Sequence, residues 1–326
     1  MAKKRTRRFE RRYPRTYPLP TVGARYSELD QVLMRREVQH AVRGGDLSSV
    51  GFGLYVPGAG SAADQHMATL QALCRETPHL VSHSTAGILW GLLDDDLAPP
   101  FHLTSPPKGS RIRRPGLVIS HRVQVPDQDR RNTNQVPLTS PARTWVDIAV
   151  SAPLTRGLIL ADRCRRIGRP EFGESAESLS NREELADALV RRGRTPRLST
   201  ARRALELSRD GVDSPMESLL RFYMHETDLP EPAVNVWLRD ENGNRIVQPD
   251  LSIWDYRLAI QYEGWEYHSD TRQMLKDVRR QESTHALGWL EVRITRDHMR
   301  NCGAGAIAKI AQSLRQQGWA PSRHLL

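Results

Sequence analysis

The last third of the chain, from about Asp213 onward, follows an order of segments that few folds accommodate. Ser214, Pro215 and Glu217 supply a helix cap, a proline at the first helical position and a carboxylate in the first turn. The apolar periodicity then predicts a helix to about residue 226, strands over 234–239, 246–254 and 258–264, a helix over 271–287, a strand over 289–295 and a helix over 303–317. This order of helix, strand meander, helix and strand predicts an α/β domain.

Strand parity brings acidic side chains together within this meander. A two-residue turn at Asp255-Tyr256 places Asp250 opposite Gln261, and Glu263 then lies on the same face of the sheet. Directly opposed side chains have Cβ atoms about 5 Å apart and diagonal ones about 7–8 Å, which one hard cation can bridge. Mg²⁺ takes one or two carboxylates, waters and a phosphate oxygen. A three-residue turn without a bulge would instead put Asp250 on the opposite face.

A divalent ion at this position would polarise a scissile phosphate and help to generate hydroxide. His268 stands five residues after Glu263 and could carry a proton to or from the reaction, while Glu217 could orient the water. The alternative is structural: strand carboxylates are often surface charges, and His268 would then only cap the helix that starts after Asp270.

The segments QPDLSIWDYRLAIQYEGWEYHSD (248–270) and KDVRRQESTHALGWLEVRIT (276–295) are similar to the very-short-patch-repair-like endonucleases of the PD-(D/E)xK superfamily. The resemblance covers about a third of the chain and implies a restriction-endonuclease-like α/β domain. It further implies that Asp250 is the metal ligand after the proline, that the Tyr262 carbonyl is a second ligand, and that Glu263 takes the acidic or general-base position.

The same resemblance assigns four further residues. His268 matches the histidine after the glycine, Glu217 the helical carboxylate, and Asp277 with Arg280 the pair that faces phosphate or supports the structure. The chain departs from the pattern because no lysine stands two residues after either Gln261 or Glu263, and Gln261 itself replaces a carboxylate. Weak or lost activity is the alternative that this departure leaves open.

Positive charge concentrates at the N-terminus. The chain has a formal net charge of +10, and residues 1–23 hold eight basic side chains against Glu10 alone, which accounts for +7 of it. Several prolines and few apolar residues predict a disordered arm. Such an arm either contacts phosphates without sequence specificity or only keeps the protein soluble.

Residues 26–56 predict a short helix over 27–33, a second helix over 34–43 and a hairpin of strands over 47–50 and 53–56. This is the order of a winged helix-turn-helix, whose second helix enters the major groove. Val38, Ala41 and Val42 are predicted to face inward. The outward side chains, as predicted DNA contacts, are Arg35, Arg36, Gln39, His40 and Arg43. A solvated basic face is the alternative.

Three runs resemble the AbiEi-type antitoxins of abortive-infection systems: RREVQHAVRGGDLSSVGFGLYVPG (35–58), VSHSTAGILWGLL (81–93) and VPLTSPARTWVDIAV (136–150). They span roughly half of the chain, although residues 21–26 lack the apolar periodicity of a first helix. The resemblance implies binding to DNA, often at a promoter, and a partner toxin.

The remaining polar residues predict no second site. His66, His83, His102 and His121 have neither the i, i+4 spacing nor the carboxylate neighbours of a specific metal site, so they are expected to be structural or surface histidines. The cysteines at 74, 164 and 302 form no CxxC pair and are expected to be buried thiols in a reducing cytoplasm. The longest apolar run, around 86–93, is too short to cross a bilayer.

The sequence therefore predicts an α+β multidomain protein. Its predicted parts are a basic arm (1–24), a winged helix-turn-helix (25–60), a mixed α/β middle region (61–166), a linker with helices (167–210) and a nuclease-like domain (211–326). Two functions remain open. The chain is either a DNA endonuclease or nickase that uses Mg²⁺ or Mn²⁺, or an antitoxin-like transcriptional regulator with a degenerate nuclease fold. Its expected partners are DNA and a toxin, with no membrane partner.

Overall fold

The structure is a computed structural model that describes residues 19–75, 77–109, 111–133, 136–168, 175–263 and 271–321, with the backbone alone for 271–277. Residues 1–18 of the predicted basic arm therefore lie outside the described residues. The chain divides into two compact units. The first holds the described residues up to Leu89, Asp94–Val125 and Arg130–Thr139, and the second holds the rest. Helices and mixed sheets occur in the chain, which confirms the α+β class.

The first unit begins with two helices and a small antiparallel sheet. Its elements are β1 (Ala24–Arg25), α1 (Tyr26–Leu29), α2 (Arg35–Arg43), β2 (Leu47–Gly51) and β3 (Leu54–Pro57), with strand order β1-β3-β2. The predicted helix over 27–33 is too long, because the chain turns after Leu29, whose carbonyl accepts from the amides of Val32 and Leu33. Val38 and Ala41 are buried, as predicted, and Val42 is half-buried.

A five-stranded mixed sheet forms the remainder of the first unit. Its elements in chain order are α3 (Ala62–Cys74), β4 (Leu80–Val81), α4 (His83–Leu89), β5 (Phe101–Ser105), β6 (Val118–Arg122), β7 (Arg130–Thr133) and β8 (Val136–Thr139). The strand order is β6-β5-β4-β8-β7. β5 runs parallel to β6 and antiparallel to β4. Side chains of residues that pair across these strands project from the same face of the sheet.

The second unit starts with four helices: α5 (Pro141–Ala149), α6 (Leu154–Arg165), α7 (Arg182–Arg192) and α8 (Leu198–Leu207). Ser140 caps α5 and Asn181 caps α7, each through a side-chain oxygen that accepts an amide of the first turn. These four helices pack on one another, and α6 also packs on α9 (Pro215–Glu226).

The α/β part of the second unit follows α9. Its elements are β9 (Ala233–Val234), β10 (Leu238–Arg239), β11 (Arg245–Val247), β12 (Leu251–Ile253), β13 (Leu258–Glu263), α10 (Thr271–Ala286), β14 (Leu290–Thr295) and α11 (Arg300–Gln316). The main sheet has the order β14-β13-β12-β9, with β13 and β14 parallel. Leu220 and Met224 of α9 are buried against this sheet, as the helical periodicity predicts.

Two of the predicted strands of this region are wrong, because each is divided. Residues 234–239 separate into β9 and β10, and 246–254 separate into β11 and β12. The interruption lies at Asn235, which has a φ of 51° and donates its amide to the Asp250 carbonyl. Pro249 has no amide hydrogen for a ladder. β10 and β11 consequently form a separate hairpin, while β9 pairs with β12.

The prediction of three buried cysteines is also wrong in one case. Cys74 and Cys164 are buried, but Cys302 is exposed. Cys302 lies in a stretch of left-handed backbone, Asn301 to Gly303, near the start of α11. The spacing of the cysteines, on which the prediction depended, carries no information about this local change of direction.

A buried ion pair joins α6 to α9. Asp162 of α6 is 1% exposed, and its Oδ2 lies 3.1 Å from Arg221 Nη2 and accepts a hydrogen bond of 2.7 Å from Ser218 Oγ. Asp162 Oδ1 accepts the amide of Arg209 at 2.8 Å. Arg221 also donates to the carbonyl of Leu207 at 2.7 Å. One carboxylate therefore fixes the position of α9 against the helical part of the unit.

We expect Asp162→Asn to lower the free energy of unfolding by about 3 kcal/mol, because buried Arg221 loses the carboxylate at 3.1 Å and keeps only Glu231 Oε1 at 3.4 Å. Asp297→Asn is the matched control. Asp297 also pairs with an arginine, Arg300, but both side chains are exposed, so its loss should cost no more than about 1 kcal/mol. Urea denaturation measures both, and equal effects would contradict the assigned role of Asp162.

Candidate active site

Asp250 lies immediately before β12 and faces β13. The pairs Leu251↔Ile260 and Ile253↔Leu258 define a register that, continued by one residue, sets Asp250 opposite Gln261. Gln261 Nε2 donates to Asp250 Oδ1 at 2.7 Å, and the Tyr262 amide donates to Asp250 Oδ2 at 2.6 Å. The predicted register and the predicted Asp250–Gln261 contact are therefore confirmed.

The connection between β12 and β13 explains why the register prediction holds. The ladder ends at Ile253 and Leu258, a short 3-10 helix occupies Trp254–Tyr256, and Arg257 has a left-handed φ of 43°. The Arg257 amide closes the turn on the carbonyl of Trp254 at 3.1 Å. Since an even number of residues connects the strands, each side chain keeps the face that a two-residue turn would give it.

Glu217 is the second acidic residue of the site. It lies in the first turn of α9 and is only 5% exposed. Its Oε2 accepts from the Asp213 amide at 3.1 Å and from Asn235 Nδ2 at 2.9 Å. Burial raises the pKa of Glu217 to about 7; a hydrogen bond from Ser214 opposes this, and the charge of Asp250 adds to it. Glu217 can thus exchange a proton near neutral pH.

Asp250 is likewise in an environment that disfavours its charge. Burial raises the pKa of Asp250. The hydrogen bond from the Tyr262 amide, the positive charge of Arg280 and the hydrogen bond from Gln261 each lower this pKa, but by less. Glu217 and Asp250 are therefore two carboxyl groups, drawn from a helix and a strand end, that interact through their charges. A cation between such groups would favour the ionised form of both.

Glu263 is held differently. It ends β13, and its Oε1 lies 3.0 Å from Nη1 of Arg293 on β14. Arg293 Nε also contacts Glu291 Oε1 at 2.8 Å, and Arg280 Nη2 lies 3.8 Å from the same oxygen. Within the described ranges, Glu217, Asp250 and Glu263 do not form a set whose ligand atoms all lie within 4.8 Å of one another. Arg293 instead neutralises Glu263.

Two site residues escaped prediction from the sequence. Asn235 connects the site, since its side chain donates to Glu217 and to the Gly211 carbonyl while its amide donates to the Asp250 carbonyl. Glu291, whose side chain is 3% exposed, accepts hydrogen bonds from Arg293 Nε and from Thr284 Oγ1. A single acid within the apolar strand 290–295 was the available signal for Glu291. Asparagine's tolerance of left-handed backbone was the signal for Asn235.

The structure leaves part of the predicted site without a description. His268, the predicted proton carrier, and Trp265, at the missing lysine position, lie outside the described residues. The side chain of Asp277 also lies outside them. Arg280 is described: it approaches Glu291, and its Nε is buried without a hydrogen-bond partner among the described residues. Its predicted supporting role is consistent with that position.

Three histidines of the first unit lie together, although their spacing in the sequence does not group them. His83, His102 and His121 come together on one face of the five-stranded sheet. They stand 19 residues apart in sequence, and the parallel pairing of β5 with β6 is what brings them together. Local spacing in the sequence carries no signal for such a cluster.

No protein-family model matches the chain. Two uncharacterized proteins of Mycobacterium tuberculosis, Rv2248 of strain H37Rv and MT2308 of strain CDC 1551, are each 28% identical to it over 289 residues, which is 86% of this chain and 97% of theirs. A solved structure, that of the RV2827C protein from Mycobacterium tuberculosis, is 16% identical with a TM-score of 0.39. It covers 57% of this chain and 71% of its own.

The raised pKa of Glu217 gives a pH-dependent prediction. This pKa is about 7 in the folded chain and 4.5 for an ordinary glutamate, so the stabilisation by protonated Glu217 is complete below pH 4.5 and is lost as the pH rises through 7. The Glu217→Gln variant does not lose stability in this way, because glutamine has no proton to release in this pH range. We expect the free energy of unfolding of the variant, relative to the unmodified chain, to rise by up to about 3 kcal/mol between about pH 5 and about pH 8.5.

Urea denaturation across this pH range is the measurement. Glu226→Gln, at an exposed position of the same helix, is the matched control and should show no such rise. Parallel pH profiles for the Glu217→Gln chain and the unmodified chain would contradict the assignment of Glu217 as a group that titrates near neutrality.

Proposed function

We propose that the chain binds DNA through its first unit and hydrolyses phosphodiester bonds in its second unit, with Mg²⁺ or Mn²⁺ held by Asp250 and Glu217. The observation that carries this proposal is that Asn235 holds two acidic residues at one end of the sheet. Its side chain donates to Glu217 Oε2 at 2.9 Å and its backbone amide donates to the Asp250 carbonyl at 3.0 Å, and burial raises the pKa of both carboxyl groups. Perturbed acidic pairs concentrate at functional sites, where a cation or a proton balances their charge.

The donor set suits a hard divalent ion. Mg²⁺ binds oxygen and is satisfied by one or two carboxylates, with waters and a substrate phosphate completing its shell. Each oxygen of Asp250 accepts one hydrogen bond, from Gln261 or Tyr262, and a carboxylate oxygen has two lone pairs. These two hydrogen bonds orient the carboxylate. Glu263 is paired with Arg293, so in this proposal it supports the site and the predicted ligand role passes to Glu217.

A bound Mg²⁺ would stabilise the negative charge that develops on the phosphate. The chain's own residues would carry the proton. As the oxygen of a water molecule bonds to phosphorus, its proton passes to the carboxylate of Glu217, which the nearby cation would keep ionised and therefore able to accept it. The bond from phosphorus to the leaving oxygen breaks, and that oxygen takes a proton from solvent or from His268.

The exposed face of α2 supports the assignment of DNA binding to the first unit. Its exposed polar side chains are Arg35, Arg36, Gln39, His40 and Arg43. The hairpin of β2 and β3 that follows has Phe52 at its tip. Phe52 is 56% exposed, and Arg114 Cζ lies 5.6 Å from the centroid of its ring. A helix with an arginine-rich outer face, followed by a hairpin with a cationic side chain at its tip, suits contact with phosphates and base edges.

DNA binding is tested by the double substitution Arg36→Ala with Arg43→Ala. The variant should bind a duplex more weakly, and the slope of log K against log salt should fall by about 2, since each lost phosphate contact removes about 1. Fluorescence anisotropy at several salt concentrations measures this. Arg202→Ala, at an exposed position of the second unit, is the matched control. An unchanged slope in the double variant would exclude this face as the phosphate contact.

A second function is supported by a specific observation. Asp250 already accepts two hydrogen bonds, Glu263 already pairs with Arg293, and Gln261 stands where related sequences have a carboxylate. These contacts satisfy the acidic residues without a metal. They favour an antitoxin-like transcriptional regulator, with a partner toxin, in which the nuclease-like domain only binds.

Incubation of supercoiled plasmid with Mg²⁺ or Mn²⁺ distinguishes the two functions. If the chain is a nuclease, Asp250→Asn should lower the cleavage rate by about 100-fold or more, because it removes a carboxylate that stabilises the charge of the transition state. Glu217→Gln should lower it as well, and Glu226→Gln should leave it unchanged. DNA binding without cleavage under either metal would support the regulator, and cleavage that persists in Asp250→Asn would exclude the proposed site.

A further inference from the structure

Three histidine rings of the first unit lie against one another. The ring centroids of His83 and His121 are 3.6 Å apart with an interplanar angle of 14°, and those of His102 and His121 are 5.1 Å apart at 19°. His102 Nδ1 lies 2.9 Å from His121 Nε2. One nitrogen from each of the three rings can be chosen so that all three atoms lie within 4.8 Å of one another.

The sheet places these rings from three separate elements. Thr104 of β5 pairs with His121 of β6, so His102, two residues before Thr104, projects from the same face as His121. β4 leads into α4, whose first residue is His83. His83 has a φ of 50°, an unusual backbone conformation for a residue other than glycine. Ordered secondary structure therefore defines all three ring positions.

Neighbouring hydroxyl groups contact two of the rings or their backbone. Ser82 Oγ is buried, lies 3.0 Å from His83 Nδ1 and accepts a hydrogen bond of 2.8 Å from Thr104 Oγ1. Thr85 Oγ1 accepts the amide of His102 at 2.9 Å. Ser82 thus contacts one imidazole nitrogen of His83, as neighbouring groups do around metal-bound histidines, whereas Thr85 contacts only the backbone of His102.

The contact between His102 and His121 limits how many protons the three rings can carry. A separation of 2.9 Å between His102 Nδ1 and His121 Nε2 requires one proton between the two nitrogens, and further protonation would place positive charges on rings in contact. Neutral imidazole is the form that binds metal ions.

We propose that His83, His102 and His121 form a binding site for a divalent transition-metal ion, with Zn²⁺ as the probe. In a tetrahedral site with Zn–N bonds of about 2.0–2.1 Å, ligand nitrogens are roughly 3.3 Å apart. The observed nitrogens, one pair at 2.9 Å and all within 4.8 Å, reach that arrangement by rotation of the rings out of their stack. Three imidazoles with an open fourth position match the ligand set of many zinc sites.

This site is independent of the carboxylates in the second unit. Imidazole nitrogen suits Zn²⁺, Co²⁺, Ni²⁺ and Cu²⁺, whereas Mg²⁺ requires oxygen ligands. The two sites should therefore respond to different ions. All three histidines are half-buried, which shields the ion while leaving a path for its entry.

The test is a titration of the full chain with Co²⁺ after treatment with a chelator. We expect one equivalent to produce the visible d–d bands of four-coordinate Co²⁺, Zn²⁺ to displace it, and Mg²⁺ to have no effect. His102→Gln and His121→Gln should each raise the dissociation constant at least about tenfold, because one of three protein ligands is lost. His285→Gln, an exposed histidine of the second unit, is the matched control.

Circular dichroism checks that each variant is folded. If His102→Gln or His121→Gln unfolds, the unmodified chain labelled with ¹⁵N-histidine provides the decisive measurement, with His83→Gln identifying one of the signals. Zn²⁺ should then shift the imidazole nitrogens of three histidines, including the one that His83→Gln removes. The proposal is overturned if one equivalent of Co²⁺ gives no four-coordinate bands, if folded ligand variants bind like His285→Gln, or if Zn²⁺ shifts other histidines instead.

Discussion

The position of α9 depends on the carboxylate of Asp162, and the candidate active site depends on α9. Arg221 and Ser218 of that helix both contact Asp162 Oδ2, while the Arg209 amide contacts Oδ1. A buried charge pair of this kind tolerates little displacement, because any separation exposes an uncompensated charge to an apolar environment. Glu217 lies one residue before Ser218. Its position beside Asp213 and Asn235 is thus a consequence of an interaction made within the next turn of the same helix.

The chemistry of the site follows from where these groups lie relative to water. Glu217 and Asp250 are both drawn out of solvent, and the resulting desolvation raises the pKa of each. Asn235 links them through its side chain and backbone amide, which is possible because its left-handed conformation interrupts the strand. An interruption that divides a predicted strand therefore also links the backbone of Asp250 to the carboxyl group of Glu217. By contrast, Glu263 lies beside Arg293, which compensates its charge.

The two units offer ligands of different character. The second unit presents carboxylates, which suit hard ions such as Mg²⁺, and the first presents imidazoles, which suit borderline ions such as Zn²⁺. In the first unit the parallel pairing of β5 and β6 brings His102 beside His121, and in the second an even-numbered connection sets Asp250 opposite Gln261. Sheet topology therefore places these side chains, while helices place His83 and Glu217.

The sequence by itself determined the order of elements, the cap at Ser214, the inward face of α2 and the register that sets Asp250 opposite Gln261. These features depend on local periodicity and on the parity of one turn. Tertiary structure alone decided that Glu217 is buried beside Asp250, that Arg293 compensates Glu263, and that distant histidines converge. Burial and pairing of charges depend on elements far apart in sequence. In the proposed site, the ligand role predicted for Glu263 therefore passes to Glu217.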